Sequence, residues 1–333
     1  MEDSNFNRGV LREYRQKVRH TCSVLGWALA VMVILNQLTG LLIGLIGALL
    51  AHYKVMGLGA ELYKMIWSKE FAVAGSSILA YTLALPVVFA IMAHVPEVIP
   101  EKKRMRPGKF FLFFVLTMGS GYILNIAGNL INLSVAALTG RSMAGMNPVN
   151  NLLDGMGILT ILYVSVIGPL IEEYLFRWKL LNRLRPLGEK GAILFSALMF
   201  GLMHGNITQL LYATAIGVVL GYVAVKTGRM KYNCLIHIMV NSYSALLALL
   251  LQEPVFNRIG LVLTAFVPLW MFGSMVAAIV IFCVNLKRTR LLKGCWPPGV
   301  EYRDFSPAMY LNSGVAAFAV LNLALAAYYL FAA

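Results

Sequence analysis

The chain has 333 residues, of which 59% are hydrophobic and 13% charged, with a mean hydropathy of +0.75. Soluble domains carry about 25% charged residues, so an ordinary water-soluble fold is excluded. The net charge of +14 would suit a nucleic-acid partner, but the placement of the charge argues against one.

Apolar runs long enough to cross a bilayer recur along the sequence. In chain order they predict nine spans, at roughly 22–52, 71–95, 109–139, 156–176, 190–207, 208–226, 231–251, 257–285 and 307–332. No separate soluble domain fits between them. Residues 1–333 are therefore read as a single integral membrane domain, an all-α polytopic transmembrane helical bundle. The first run exceeds the roughly 7–15-residue core of a signal peptide and is read as a permanent helix. Cys22, Cys234, Cys283 and Cys295 show no paired spacing and are expected to be reduced thiols. The sequon Asn206-Ile207-Thr208 abuts a span and is read as chance. Gly40/Gly44 and Gly217/Gly221 have the spacing of close helix packing.

The basic residues collect in alternate gaps. The N-terminal segment holds Arg8, Arg12, Arg15, Lys17 and Arg19; the gap after span two holds Lys102, Lys103, Arg104, Arg106 and Lys109. After span four come Arg177, Lys179, Arg183, Arg185 and Lys190, and after span six Lys226, Arg229 and Lys231. Lys287, Arg288, Arg290, Lys293 and Arg303 follow span eight. These are 23 of the 28 basic residues, leaving Lys54, Lys64, Lys69, Arg141 and Arg258 for the other side. The bias predicts a cytosolic N-terminus, an external C-terminus and contact with anionic lipids at the cytosolic face, with no nucleic-acid partner.

Two adjacent carboxylates break the apolar pattern. Glu172 and Glu173 lie inside the fourth run, where each charge costs about 2.5–3.5 kcal/mol even on lenient insertion scales. Such a pair implies a partner, a wet cavity and a function. Glu173 and Arg177 are four apart and can pair along one helix face, while Glu172 points about 100° away. His20, His52 and His94 lie at segment ends, but His204 and His237 fall within spans. Phe200 and His204 share one face, as do His237 and Asn241. Gly168-Pro169 precedes the glutamates, and a proline there removes a helical hydrogen bond, either to expose carbonyls and water or simply to bend the helix.

Glu172-Glu173-x-x-x-Arg177, Phe200-x-x-x-His204 and His237-x-x-x-Asn241 resemble the three motifs of the CPBP intramembrane proteases, also called the Abi or CAAX-protease-like family. They occur in the family's order on three separate spans, within residues 156–250. The resemblance implies an eight-helix core and an intramembrane endopeptidase whose first glutamate and two histidines line a cavity open to the cytosol. The family includes CAAX endopeptidases and bacterial proteins linked to bacteriocin immunity and peptide processing. Its eukaryotic branch has cysteine where this chain has Val240, which favours a bacterial-type member in a bacterial cell membrane, acting on a membrane-embedded or lipid-anchored peptide or protein.

Amide hydrolysis needs a base for water, an acid for the leaving amine and donors for the oxyanion. Glu172 and His204 are read as sharing the water, with His237 and Asn241 as donors and Glu173, Arg177 and Phe200 in support. The same Glu172, His204 and His237 supply a zinc-like ligand set, although no HExxH is present. Catalysis without cofactor and catalysis with zinc both stand at this point. A proton-coupled transporter would also carry such residues but predicts an internal repeat, and the two halves show none. A non-catalytic immunity or scaffold member would tolerate motif losses, and none has occurred. One tension concerns depth: at 1.5 Å per residue, His204 would lie about 21 Å above Lys190, while Glu172 would lie about 10 Å above Lys179.

Overall fold

The computed structural model describes residues 2–53, 57–143, 146–147, 157–252, 257–285 and 289–331. Lys54, Lys287 and Arg288 of the charge pattern lie outside the described residues. Among those described there are helices and no strands. They are α1 (Glu2–His52), α2 (Leu58–Ile66), α3 (Phe71–Met92), α4 (Pro107–Thr139), α5 (Ile158–Leu187), α6 (Glu189–Leu202), α7 (Ile207–Thr227), α8 (Met230–Gln252), α9 (Asn257–Asn285), α10 (Tyr302–Tyr310) and α11 (Ser313–Phe331).

Eight of these are long and apolar enough to cross a membrane. The protein is a polytopic helical bundle. The segment expected as a fifth full span forms the 14-residue α6, about 21 Å long at 1.5 Å per residue. Its core role explains the shortness. Nearly every side chain from Gly191 to Leu202 is buried, so α6 meets other helices where its neighbours meet lipid. Small residues let α7 approach it: a Cβ on Gly217 would lie 2.9 Å from the Ala197 Cα, and one on Gly221 would crowd Ile193. Gly40 and Gly44, expected to pack likewise, have open space where a Cβ would stand, with no neighbouring heavy atom within 4 Å. That pair faces away from the bundle, because the spacing alone does not say which face of α1 is covered. Close packing of α1 occurs nearer its start, where Gly26 meets Val315 and Gly314 of α11 meets Ser23. Asn206 is buried and caps α7 by accepting from the Gln209 N–H at 2.9 Å, so the sequon is structural.

The five basic segments meet at one end of the bundle. Arg15 donates to the Asp304 carbonyl, Val98 N to Asn182 O at 3.3 Å, and Lys103 N to Thr227 O at 2.7 Å. Cys295 N donates to Pro186 O and Glu189 N to Leu292 O. The last two bonds seat the Pro186–Gly191 turn on the chain that precedes α10, and Lys190 lies over the Tyr302 ring of that helix. Because α5 itself continues to Leu187, Glu172 lies about as many residues before this turn as His204 lies after it, which removes the depth tension. At the opposite end, Arg141 donates to the Phe331 carbonyl. There too Glu70 of the α2–α3 turn accepts from Thr160 N at 3.0 Å, capping the start of α5.

The short α6 forms a hairpin with α7, and Lys226 near the end of α7 reaches Glu189 at the start of α6, so both ends of the hairpin lie at the basic end. Reporter fusions after Gly188 and after Arg229 are therefore expected to read the same side of the membrane; opposite sides would contradict this arrangement.

Candidate active site

The site forms where α5, α6 and α8 meet. Along α5 the helix is not uniform: π-type turns at Tyr163–Ile167 and Tyr174–Leu180 flank the α-helical Gly168–Glu173. In the first of these turns Gly168 N donates to Tyr163 O, five residues back. In that register the next N–H would serve the Val164 carbonyl, but residue 169 is proline and has none. Asn241 of α8 supplies the missing donor, its Nδ2 lying 2.9 Å from Val164 O. The proline thus exposes a carbonyl, and a side chain from a second helix takes it up.

Glu173 is fully buried. Its Oε2 lies 3.4 Å from Arg177 Nε, and its Oε1 accepts from His237 Nδ1 at 2.9 Å. The i,i+4 pair expected from the sequence is present, and it is extended to a third member on α8. Glu172, one residue earlier, remains partly exposed, with Oε2 3.7 Å from His237 Nε2. That is too long for a direct hydrogen bond. His204, in the turn after α6, holds its Nδ1 2.8 Å from the Phe200 carbonyl.

These partners set the tautomers. A carbonyl only accepts, so His204 Nδ1 must donate to Phe200 O; the Glu173 carboxylate likewise draws a donor from His237 Nδ1. In their neutral forms both rings therefore carry the free lone pair on Nε2. Phe200 organises the cluster sterically. Its ring lies edge to face with His204 at 5.0 Å and with His237 at 5.8 Å, and the Arg177 guanidinium sits 4.2 Å above its centroid.

All seven residues singled out from the sequence are thus gathered here: Glu172, Glu173, Arg177, Phe200, His204, His237 and Asn241. Asn241 stands differently from the expectation, since one of its amide N–H groups is committed to Val164 and not directed at a reacting group. Sequence reasoning missed three tyrosines. Tyr81 of α3, Tyr163 of α5 and Tyr212 of α7 all lie near enough to couple electrostatically to the Glu172 carboxylate. Their signal was only that of aromatic residues in apolar runs. Beside Tyr81 an apolar groove of about 440 Å³ runs between α3 and α5, lined by Leu85, Phe89, Ile167 and Ile171.

A zinc ion would require three or more converging donors. Among the described residues no three His, Cys, Asp or Glu side chains are gathered closely enough to hold a metal. The residues as placed do not fit a metal cage.

The family model for type II CAAX prenyl endopeptidase Rce1-like proteins matches residues 154–243, which contain all three motifs. This match supports the resemblance of the three motifs to the CPBP, or CAAX-protease-like, family. It is also similar to YdiL of Bacillus subtilis, a protein named as a membrane peptidase, with 27% identity over 191 residues. That similarity covers 54% of this chain and 73% of YdiL. No solved structure matches the chain.

The Asn241–Val164 bond generates a specific expectation. Asn241→Leu leaves a part-buried carbonyl without its side-chain donor and should cost about 1 kcal/mol. Pro169→Ala restores a backbone N–H at the position that Val164 lacks, so in the Asn241→Leu background it should recover part of that loss. Unfolding measurements on both single variants and the double variant test the coupling; strictly additive effects would disprove it.

Proposed function

We propose that the protein is an intramembrane endopeptidase in which Glu172, His204 and His237 activate water against a peptide bond of a membrane-embedded or lipid-anchored substrate. The observation that carries this reading is the state of the two imidazoles. Each has its Nδ1 engaged, by Phe200 O or by Glu173, and each therefore leaves a basic Nε2 free, that of His237 lying 3.7 Å from Glu172 and His204 interacting electrostatically with the same carboxylate.

The gap of 3.7 Å between Glu172 Oε2 and His237 Nε2 separates two acceptors and suits a water that donates to both. Glu172 takes one proton as the water oxygen attacks the carbonyl carbon. The C–N bond then breaks, and that proton passes to the departing amine. Glu173 keeps His237 in the required tautomer and balances positive charge developing on its ring, as carboxylates do behind catalytic histidines. The second N–H of Asn241 and the nearby tyrosine hydroxyls are the candidate donors for the oxyanion. In this reading the apolar groove between α3 and α5 seats the apolar part of the substrate. The basic end faces the cytosol of a bacterial cell and meets anionic lipids there, with the N-terminus inside.

The test is cleavage of a peptide panel by purified full-length protein in detergent or liposomes. Glu172→Gln is expected to fold normally and lose at least about 100-fold in activity, the lower range for general acid–base catalysis. Glu173→Gln strips a buried guanidinium of its counter-charge and should lower stability by about 3–5 kcal/mol, with activity partly kept where folding survives. Equal loss of activity in both without destabilisation would undo this division of labour.

Metal dependence is decided in the same preparation. The metal-free mechanism predicts that chelators strong enough to strip zinc leave turnover intact and that active protein carries well under one metal per chain. Stoichiometric zinc, lost on His237→Ala and needed to restore turnover, would make Glu172, His204 and His237 ligands instead.

A further inference from the structure

We infer that the protein binds a single small anion, of the size and charge of chloride, in the void beneath Arg177 at the basic end of the bundle. This void is separate from the Glu172 cluster. Its walls include Pro100 of the α3–α4 connection, Arg177 and Asn182 of α5, Gly228 and Arg229 of the α7–α8 turn, and Asn233 of α8; it has room for about one water-sized particle.

The polar atoms around it are strongly unbalanced. Arg177 is buried, and none of its three nitrogens makes a hydrogen bond; its Nε has only the 3.4 Å approach to Glu173. Asn182 Nδ2 and Arg229 Nε are likewise buried without a partner, as is Asn233 Oδ1. The amides cannot be turned over to cure this. Asn182 Oδ1 already accepts from Arg185 Nε at 2.9 Å, and Asn233 Nδ2 already donates to Leu220 O at 2.6 Å. Donors from three residues thus face one acceptor.

A water molecule accepts about two hydrogen bonds and must place two protons of its own, so it cannot satisfy that set. An anion accepts from several donors and places none. The charges agree. Three carboxylates at this end are engaged elsewhere: Glu97 with Lys179 and Arg183, Glu101 with Lys103, and Glu189 with Lys226. Two guanidinium groups therefore share this void with only Glu173, which already serves His237. Leaving such donors buried and unmatched is costly. The size of the void excludes sulfate, phosphate and organic carboxylates. Halide occupancy would also pin Arg177, and with it the Glu173–His237 pair.

The experiment is thermal unfolding of the purified full-length protein in sodium chloride and in sodium gluconate at matched ionic strength. Chloride should raise Tm saturably, by about 2–4 °C at ten times its dissociation constant, and gluconate should not. Arg229→Gln should abolish the chloride-specific rise. Asn182→Asp, which places a fixed negative charge at the void while keeping an acceptor for Arg185, should fold, lose the chloride response and match or exceed the chloride-free wild type in Tm. Should both variants fail to fold, bromide replacing chloride in crystals of the wild type should give one anomalous peak within about 3.5 Å of the Arg177 and Asn182 nitrogens. Identical Tm in chloride and gluconate, a chloride response retained in either variant, or crystals without that peak would overturn the inference.

Discussion

The structure depends on one buried carboxylate. Glu173 has no exposure, and removing a charge from water costs several kcal/mol even after relaxation. Here the cost is offset by Arg177 on its own helix and by His237 on another. That geometry does three things at once. It ties α5 to α8, fixes the tautomer of His237, and leaves that ring's second nitrogen facing Glu172. Phe200 adds the third helix: its ring touches both histidines and carries the Arg177 guanidinium on its face. A weakly hydrated, planar cation suits such a dry, aromatic setting better than an ammonium would. The ion pair and the ring therefore define one another's positions, and the partly exposed Glu172 is held beside residues that are themselves buried.

The backbone of α5 contributes as much as its side chains. Two π-type turns in one span are unusual, and such turns collect at functional sites because they open the carbonyl ladder. In this protein the opened carbonyl is not left to solvent. Asn241 closes it, which adds a neutral link between α5 and α8 to the charged one through Glu173. Helices that carry polar groups inside a membrane gain little from hydrophobic association, so links of this kind decide which faces meet. At the opposite end of α5, Glu70 caps the first turn from a different segment of chain. Helix α5 is thus fixed at its start, its middle and its basic end.

Much of this was legible in the sequence, for identifiable reasons. Apolar runs report spans because lipid imposes a minimum length, and i,i+4 spacing reports shared faces because helical geometry is fixed. Hence the bundle, the Glu173–Arg177 pair and the Phe200–His204 contact could all be read directly. Asn241 was visible as a polar residue on the face of His237, but its partner was not. Val164 O becomes an acceptor only through a π-type register, which no side-chain pattern encodes. Tyr81, Tyr163 and Tyr212 were hidden because an aromatic residue in an apolar run has the same signature whether it faces lipid or a carboxylate. The end of α6 was placed late although His204, Gly205 and Asn206 carry a turn signal, with Gly205 in the left-handed region and Asn206 capping α7, because the apolar residues on either side read as one run. Gly40 and Gly44 were misread, since spacing shows which residues share a face and says nothing of what covers it.

The adjacency of Glu172 and Glu173 carries the most consequential constraint. Consecutive residues on a helix point about 100° apart, so one carboxylate can be packed against Arg177 and His237 while its neighbour reaches a more open space. A slip of one residue would exchange their surroundings: Glu172 would be driven into the dry pair and Glu173 into the more exposed position. Because each π-type turn closes over five residues where an α turn closes over four, it shifts the facing of everything beyond it by about one position. The turns at Tyr163–Ile167 and Tyr174–Leu180 bracket the pair and so determine which glutamate faces which environment. Loss of the first turn would rotate the Glu172–Glu173 pair as a unit against α8, while loss of the second would leave the pair in place and turn Arg177 away from it. The chemistry assigned to Glu172 and the structural duty of Glu173 thus rest on backbone register as much as on the two carboxylates themselves.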